Sequence, residues 1–173
     1  MSGNVGRVSP RGRRGATPRK TSVRQRVVHG DLDGGGLRVG VVVARFNQYI
    51  TRQMLELVLD RLTELGVLTE NITVVWVPGS VELPVVCKAL AANNDAVVAL
   101  GAVIQGETAH FEHVAAIAAQ GLSRASLDTG TPVIFGVLTT YSTAQAVARI
   151  GHAAGYAEAA VEMAQVMRSL ETR

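Results

Sequence analysis

From residue 37 onward, hydrophobic residues follow two alternating patterns. Short apolar runs with the length of buried β-strands occupy residues 37–44, 72–77, 96–101 and 132–138. Apolar residues elsewhere recur every three or four positions, which predicts helices over residues 51–65, 84–93, 110–127, 143–149 and 157–170. Because apolar strands alternate with helices, we predict an α/β fold, a three-layer sandwich with a central four-stranded parallel sheet flanked by helices.

The first 30 residues lack this periodicity and have an unusual charge. They contain eight Arg or Lys, no Asp or Glu, and many Gly, Ser, Thr and Pro. We therefore predict a disordered basic N-terminal tail with a glycine hinge at its end, over residues 1–36, and a folded domain over residues 37–173. Beyond residue 30, the chain holds nine basic and 14 acidic residues, so the net charge of +3 comes from the tail.

Three interpretations of the basic tail stay open. It can be a solubilising extension or an artefact of the start site, it can bind an anion such as nucleic acid, or it can be an Arg-rich transit peptide. Arg13 and Arg14 form a twin arginine, but no apolar stretch follows them, which argues against an export signal.

Composition excludes several classes of protein. The single cysteine, Cys87, rules out a disulfide framework and a cysteine-rich metal site. No apolar run reaches the ~20 residues of a membrane helix, so we expect a soluble, cytoplasmic protein without a membrane partner. Neither the P-loop pattern nor the Gly-x-Gly-x-x-Gly pattern of nucleotide sites occurs.

Polar and special-geometry residues are concentrated after the predicted strands. The segments concerned are residues 45–47, 78–84, 101–110 and 139–141. In a parallel sheet these segments meet at the carboxyl edge, next to helix N-termini, where α/β proteins bind ligands. We therefore expect a functional site at this edge.

The third segment carries the clearest chemistry. Gly106, Glu107 and Thr108 directly precede a predicted helix, where backbone N–H groups and a hydroxyl can hold a phosphate. His110 follows within one turn and can move protons near a bound anion. The alternative is that Thr108 caps the helix and His110 is a surface residue. With His113 alone nearby, these residues make too weak a ligand set for a metal, and we predict none.

Other residues allow a functional and a structural interpretation. Glu82 can accept hydrogen bonds from hydroxyls or favour a helix N-terminus, and Phe46 can stack on a planar ring or pack in the core. Arg149 can bind phosphate or pair with a surface carboxylate. Cys87 lies among apolar residues and is expected to be a small core residue.

Taken in order, these segments resemble the 6,7-dimethyl-8-ribityllumazine synthase family. The matching stretches are residues 45–47, 78–84, 101–111 and 132–139, together with Arg149. The resemblance covers about residues 37–170, and it implies a flavodoxin-like architecture and a transferase of riboflavin biosynthesis. That enzyme would condense 5-amino-6-(D-ribitylamino)uracil with 3,4-dihydroxy-2-butanone 4-phosphate, releasing phosphate and water, without a cofactor.

The resemblance also implies a role for each matching residue. Phe46 would stack on the pyrimidine with Asn47 beside it. Contacts to the ribityl chain would come from Ser80, Val81 and Glu82, and the pyrimidine site would be lined by Val103 and Ile104. The phosphate would lie on Gly106, Glu107 and Thr108, and His110 would be the catalytic proton carrier.

In this family the site lies between subunits. The neighbouring subunit would supply Phe135 against the ring and Arg149 for the phosphate, within a homopentamer that can build decamers or 60-subunit shells. Riboflavin synthase is a partner that the resemblance allows. Gln105 and Ala157 depart from the family, since basic residues are common at both positions, and phosphate binding would then depend more on Arg149 and Thr108.

Three other functions stay open from sequence. The chain can be a flavodoxin-like module that binds a flavin or lumazine, a pentameric riboflavin synthase on a similar fold, or a shell protein whose basic tail recruits anionic cargo.

Overall fold

The computed structural model describes residues 25–171, in which strands and helices alternate as predicted. The strands are β1 (Val39–Ala44), β2 (Ile72–Val77), β3 (Ala96–Ile104) and β4 (Val133–Thr140). The helices are α1 (Gln48–Glu64), α2 (Leu83–Ala91), α3 (His110–Thr129), α4 (Thr143–Val147) and α5 (Ala153–Glu171). Short 3₁₀ turns occupy Thr69–Asn71 and Ile150–His152.

The four strands form one parallel sheet in the order β2-β1-β3-β4. Helices cover both of its faces, which confirms the predicted three-layer α/β class. Side chains of β1 alternate between the two faces, so that Val41 and Val43 join the core under α1 and α5 while Val42 and Ala44 join the core under α2 and α3. A strand buried on both faces explains why this segment is apolar at every position.

Two predicted strand ends are wrong. Gly101 and Leu138 were expected to end the third and fourth strands, which left Val103 and Ile104 in a loop. The structure continues both strands, because Val103 pairs with Thr139 and Ile104 with Thr140 beyond the end of β1. Pairing between two neighbouring strands sets their length, and the glycine does not interrupt it.

Two helices begin earlier than predicted. α1 begins at Gln48 rather than residue 51, and α5 begins at Ala153 rather than residue 157. Pro84 lies in the first turn of α2, as predicted, where its missing N–H costs no helical hydrogen bond.

The segment before β1 packs against the C-terminal ends of α1 and α5. The N–H of Gly34 donates to the Leu65 carbonyl (2.7 Å), and the Arg26 guanidinium donates to the Ser169 carbonyl (2.6 Å). The Arg168 guanidinium bonds Asp95 (2.9 Å), at the start of β3. These contacts place residues 25–36 at the amino edge of the sheet. Most of the predicted basic tail, residues 1–24, lies outside the described residues.

Candidate active site

A cavity of about 450 Å³ opens at the carboxyl edge of the sheet. This volume falls within the usual range for sites that bind small molecules. Its walls come from the end of β1, the β2–α2 loop, the last residues of β3 and the first turn of α3. The segments that the sequence places after the first three strands therefore converge on one space.

Phe46 forms one wall of this cavity. The residue is 70% exposed, which is unusual for a large aromatic residue, and its side chain is accessible to a ligand in the cavity. The backbone beneath the ring is fixed, because the N–H of Arg45 donates to the Val77 carbonyl (2.8 Å) and that of Phe46 to the Pro78 carbonyl (3.0 Å). The ladder between β1 and β2 thus continues into the site.

Asn47 follows Phe46 but does not line the cavity. It has a left-handed backbone conformation, with φ of 59° and ψ of 39°. Its side-chain amide donates to the carbonyl of Ala102 on β3 (2.9 Å) and makes no capping bond to α1. The side chain therefore joins the β1–α1 connection to β3.

The β2–α2 loop forms another part of the wall through Ser80, Val81 and Glu82. It is a tight turn, in which the N–H of Glu82 donates to the Gly79 carbonyl (3.3 Å). Ser80 is buried against β3, and a Cβ atom built on Gly101 would lie 2.6 Å from its Oγ. The glycine on β3 is therefore what lets this loop approach the sheet.

The loop before α3 presents backbone donors to the cavity. Within the described residues, the N–H groups of Gly106, Glu107 and Thr108 donate to no protein acceptor. Gly106, Thr108 and His110 line the cavity, and the N–H of His110 donates weakly to the Thr108 hydroxyl (3.4 Å). Free N–H groups at a helix start attract anions, because the helix dipole adds partial positive charge there.

The cavity thus brings together nine of the thirteen residues predicted for the site: Phe46, Ser80, Val81, Glu82, Val103, Ile104, Gly106, Thr108 and His110. Asn47 and Glu107 are neighbours of these residues but do not line it. Phe135 and Arg149 are elsewhere on the surface of the same chain.

Phe135, 40% exposed, lies in an apolar groove between α3 and β4, next to Leu122 and Leu127. The Arg149 side chain is exposed beyond α4, where its guanidinium donates to the Gln145 carbonyl (2.9 Å). In the described chain, neither side chain lines the cavity that holds Phe46 and His110.

Five lining residues are outside the predicted set: Pro78, Gly79, Ala102, Phe111 and Val114. Phe111 and Val114 are one helical turn apart in α3, so their spacing could have indicated a shared face. The Phe111 ring also packs near that of Tyr141, with centroids 6.2 Å apart.

Cys87 takes no part in the cavity. It is fully buried in α2, and burial raises the pKa of its thiol to about 12. Within residues 25–171, no group of three His, Cys, Asp or Glu side chains is close enough to hold a metal ion. No helix in that range is long and apolar enough to cross a bilayer.

The positions that depart from the family pattern offer no positive charge. Gln105 is exposed, and its N–H continues the ladder to the Thr140 carbonyl (2.9 Å). Ala157 lies in α5 and is fully buried in the core between α5 and the sheet.

A family model described as 6,7-dimethyl-8-ribityllumazine synthase matches residues 36–168 of the chain.

Proposed function

The chain belongs to the 6,7-dimethyl-8-ribityllumazine synthase family, and from this premise we propose that it catalyses the family's reaction. It condenses 5-amino-6-(D-ribitylamino)uracil with 3,4-dihydroxy-2-butanone 4-phosphate. The products are 6,7-dimethyl-8-ribityllumazine, phosphate and water, and the enzyme is a transferase of riboflavin biosynthesis. One observation carries the proposal: a single cavity joins an exposed aromatic ring, a row of free backbone N–H groups and a histidine.

The aminopyrimidine lies on the Phe46 side of the cavity. An exposed ring with a fixed backbone offers a flat surface on which a planar heterocycle can stack. Val103 and Ile104 supply apolar contacts at the end of β3. The ribityl hydroxyls face Ser80, Val81 and Glu82, where the carboxylate of Glu82 accepts their hydrogen bonds.

The ketone's phosphate binds at the start of α3. The N–H groups of Gly106, Glu107 and Thr108 can donate to its oxygens, and the Thr108 hydroxyl adds another donor. This position sets the reacting carbonyl between the phosphate and the pyrimidine. The departing phosphate keeps its negative charge, so the same donors stabilise it as it leaves.

The chemistry needs orientation and proton transfer more than a strong nucleophile. The 5-amino group attacks the ketone carbon, and loss of water gives an imine. Elimination of phosphate and attack by the ribityl-bearing amine then close the ring, with loss of a second water. His110, beside the phosphate loop, accepts and returns the protons of these steps. Orientation in favourable cases lowers a barrier by roughly 7–11 kcal/mol.

A neighbouring subunit completes the site. Phe135 and Arg149 lie outside the cavity of their own chain, which supports a role for both in an adjacent one. The apolar groove around Phe135, with Leu127 81% exposed, is the kind of surface that an interface covers. We propose a homopentamer, able to assemble into decamers or 60-subunit shells, that can also associate with riboflavin synthase. A cytoplasmic location is part of the same proposal, tested by cell fractionation.

The test is incubation of the purified protein with both substrates while lumazine absorbance and fluorescence are followed. Formation of lumazine only when both substrates are present supports the proposal. Riboflavin produced from lumazine alone would instead assign the reaction of riboflavin synthase. Tight binding of lumazine with no synthesis would assign a binding protein.

A further inference from the structure

Asn47 has the one left-handed backbone conformation of a residue other than glycine among residues 25–171. Side chains with a Cβ atom rarely adopt this region, and Asn tolerates it better than most. Such residues persist where the surrounding structure holds them, and they are concentrated at functional sites. Here the residue lies directly between the exposed Phe46 ring and the first turn of α1.

The Asn47 side chain is used in an unusual way. An asparagine before a helix commonly caps it by accepting from a backbone N–H, but Asn47 makes no such bond. Its amide instead donates to the Ala102 carbonyl (2.9 Å). The pairing of β1 with β3 ends at Val43 and Leu100. The bond from Asn47 to Ala102 therefore joins the continuation of β1 to β3 just beyond their last residue pair.

These two features fix the three-residue connection that carries Phe46. On one side, the backbone of Arg45 and Phe46 is bonded to β2 and its loop. On the other, Asn47 is bonded to β3 through its amide, and the Thr51 hydroxyl donates to the Ala44 carbonyl (2.7 Å). The left-handed turn reverses the chain immediately after Phe46, which leaves the ring outside the core and at the cavity.

We propose that Asn47 is a positioning residue, which holds the Phe46 ring against the cavity through its left-handed backbone and its bond to Ala102. The residue acts through Phe46 and makes no contact with substrate. This inference rests on the proposed function only for the identity of the ligand that stacks on the ring. It differs from the role implied by family resemblance, in which Asn47 lies beside the pyrimidine.

Three substitutions separate the two features. Asn47→Gly keeps the left-handed backbone and loses the amide, Asn47→Asp keeps the shape and loses the donor, and Asn47→Ala loses the donor and resists the conformation. We expect KM for the aminopyrimidine to rise about fivefold to tenfold in the Gly and Asp variants and further in the Ala variant. KM for the ketone phosphate should stay within about twofold.

A double-mutant cycle with Phe46→Ala tests the route of action. If Asn47 acts through the ring, Asn47→Gly changes KM for the aminopyrimidine by less than about twofold when Phe46 is already absent. If the two substitutions instead raise KM for the aminopyrimidine independently, so that their fold-changes multiply in the double variant, the proposal is overturned and Asn47 is assigned a direct substrate contact. Asn94→Ala is the matched control, because the Asn94 amide also bonds a backbone carbonyl, that of Leu90 (2.8 Å), away from the cavity.

A readout without substrate keeps this test apart from the proposed function. The protein has three phenylalanines, so labelling with 4-fluorophenylalanine gives three ¹⁹F signals that single substitutions assign. Asn47→Gly should shift or broaden the Phe46 signal and leave that of Phe135 unchanged. An unchanged Phe46 signal would overturn the positioning role, even if the wild-type protein makes lumazine. Absence of lumazine synthesis with a perturbed Phe46 signal would overturn only the proposed reaction.

Discussion

At the scale of single residues, the cavity depends on how closely two backbone segments approach. Gly101 allows the β2–α2 loop to lie against β3, since a Cβ atom there would be 2.6 Å from the Ser80 Oγ and 3.3 Å from a Leu83 methyl. We expect Gly101→Ala to lower the free energy of unfolding by about 1–3 kcal/mol and to raise KM for the aminopyrimidine. Thermal denaturation and steady-state kinetics measure the two effects.

Gly155→Ala is the control for that substitution. Gly155 lies in α5, and a Cβ atom there would meet nothing within 4 Å. Alanine favours a helix over glycine, so this variant should be about 0.5–1 kcal/mol more stable. Equal destabilisation by the two substitutions would mean that the close contact at Ser80 is not what requires Gly101.

His110 is the residue on which proton transfer depends in the proposed reaction. His110→Ala should lower kcat by about 10²–10⁴-fold while binding of the lumazine product is largely kept. His113→Ala is the control, because His113 is exposed on the same helix and does not line the cavity. Stopped-flow absorbance measures the rate, and an unchanged rate in His110→Ala would remove His110 from the mechanism.

The sequence predicts those site residues whose chemistry follows from the residue type and from a position directly after a strand. His110 and Thr108 precede or begin a helix after an apolar strand, and both line the cavity. The backbone conformation of Asn47 could not be predicted, because it depends on a bond to Ala102, 55 residues away. Phe111 and Val114 have the spacing of ordinary core residues and carry no chemical signal of their own.

At the scale of secondary-structure elements, the order and type of every strand and helix were predictable from apolar periodicity. The ends of these elements were harder to predict, because the length of a strand depends on the neighbouring strand with which it pairs, and the sequence of one segment does not show that pairing. β3 continues to Ile104 because β4 runs beside it, and the sequence of β3 alone, with Gly101 in it, indicates an earlier end. The consequence for the site is that Val103 and Ile104 are held by a sheet rather than by a loop.

The packing of α2 on α3 includes a charge cluster that depends on pH. Asp128 lies 2.9 Å from the Lys88 ammonium and 3.5 Å from the Arg124 guanidinium. Its hydrogen bond with Lys88, followed by attraction to both cations, lowers the pKa of Asp128 below 3.8 in the folded state. The ionised carboxylate therefore stabilises the fold above the unfolded-state pKa, and this contribution is lost as pH falls through the lower folded-state value.

We expect Asp128→Asn to lower Tm by roughly one or two degrees at pH 7, because the pair is exposed and screened. The difference from wild type should disappear as pH falls through the lowered folded-state pKa of Asp128, because the wild-type carboxyl then also becomes neutral. Asp60→Asn, at an exposed position on α1 without an ion pair among the described residues, is the control. A difference that persists at low pH would show that charge is not its cause.

At the scale of the whole molecule, the separation of Phe135 and Arg149 from the cavity predicts sites shared between chains. His110→Ala and Arg149→Ala chains should each have low activity alone and regain activity when coexpressed, because some interfaces then combine an intact His110 with an intact Arg149. Random assembly at equal amounts predicts about a quarter of the wild-type rate. Light scattering should give a mass of about five times 18.2 kDa or a multiple of it.

Coexpression of His110→Ala with Phe46→Ala is the control for this experiment. Both residues line the cavity of one chain, so no mixed interface has both intact and activity should stay low. Recovery in this control, or none with Arg149→Ala, would mean that the site is not divided between chains as proposed.

The basic tail predicts a second property of the whole chain, salt-dependent binding to polyanions. Residues 1–24 hold seven of the eight basic residues in the first 30, and residue 26 contacts α5 at the amino edge, opposite the cavity. The full chain should be retained on heparin or DNA at low salt, with log K falling linearly against log salt. Deleting residues 1–24, or replacing their Arg and Lys with Gln, should abolish retention and leave lumazine synthesis unchanged. If these variants are retained as strongly as the full chain, polyanion binding belongs to the folded domain.

The late position of α5 has a consequence for how the protein is made. Its residues Ala157, Ala160, Val161 and Ala164 cover one face of β3 and β4. On a translating ribosome, this part of the sheet is complete once β4 has been synthesised, but α1 covers only the neighbouring part of the face until α5 follows. At about 5–20 residues per second, this interval lasts roughly two to six seconds. During those seconds, the apolar surface that α5 later covers is a target for nascent-chain chaperones.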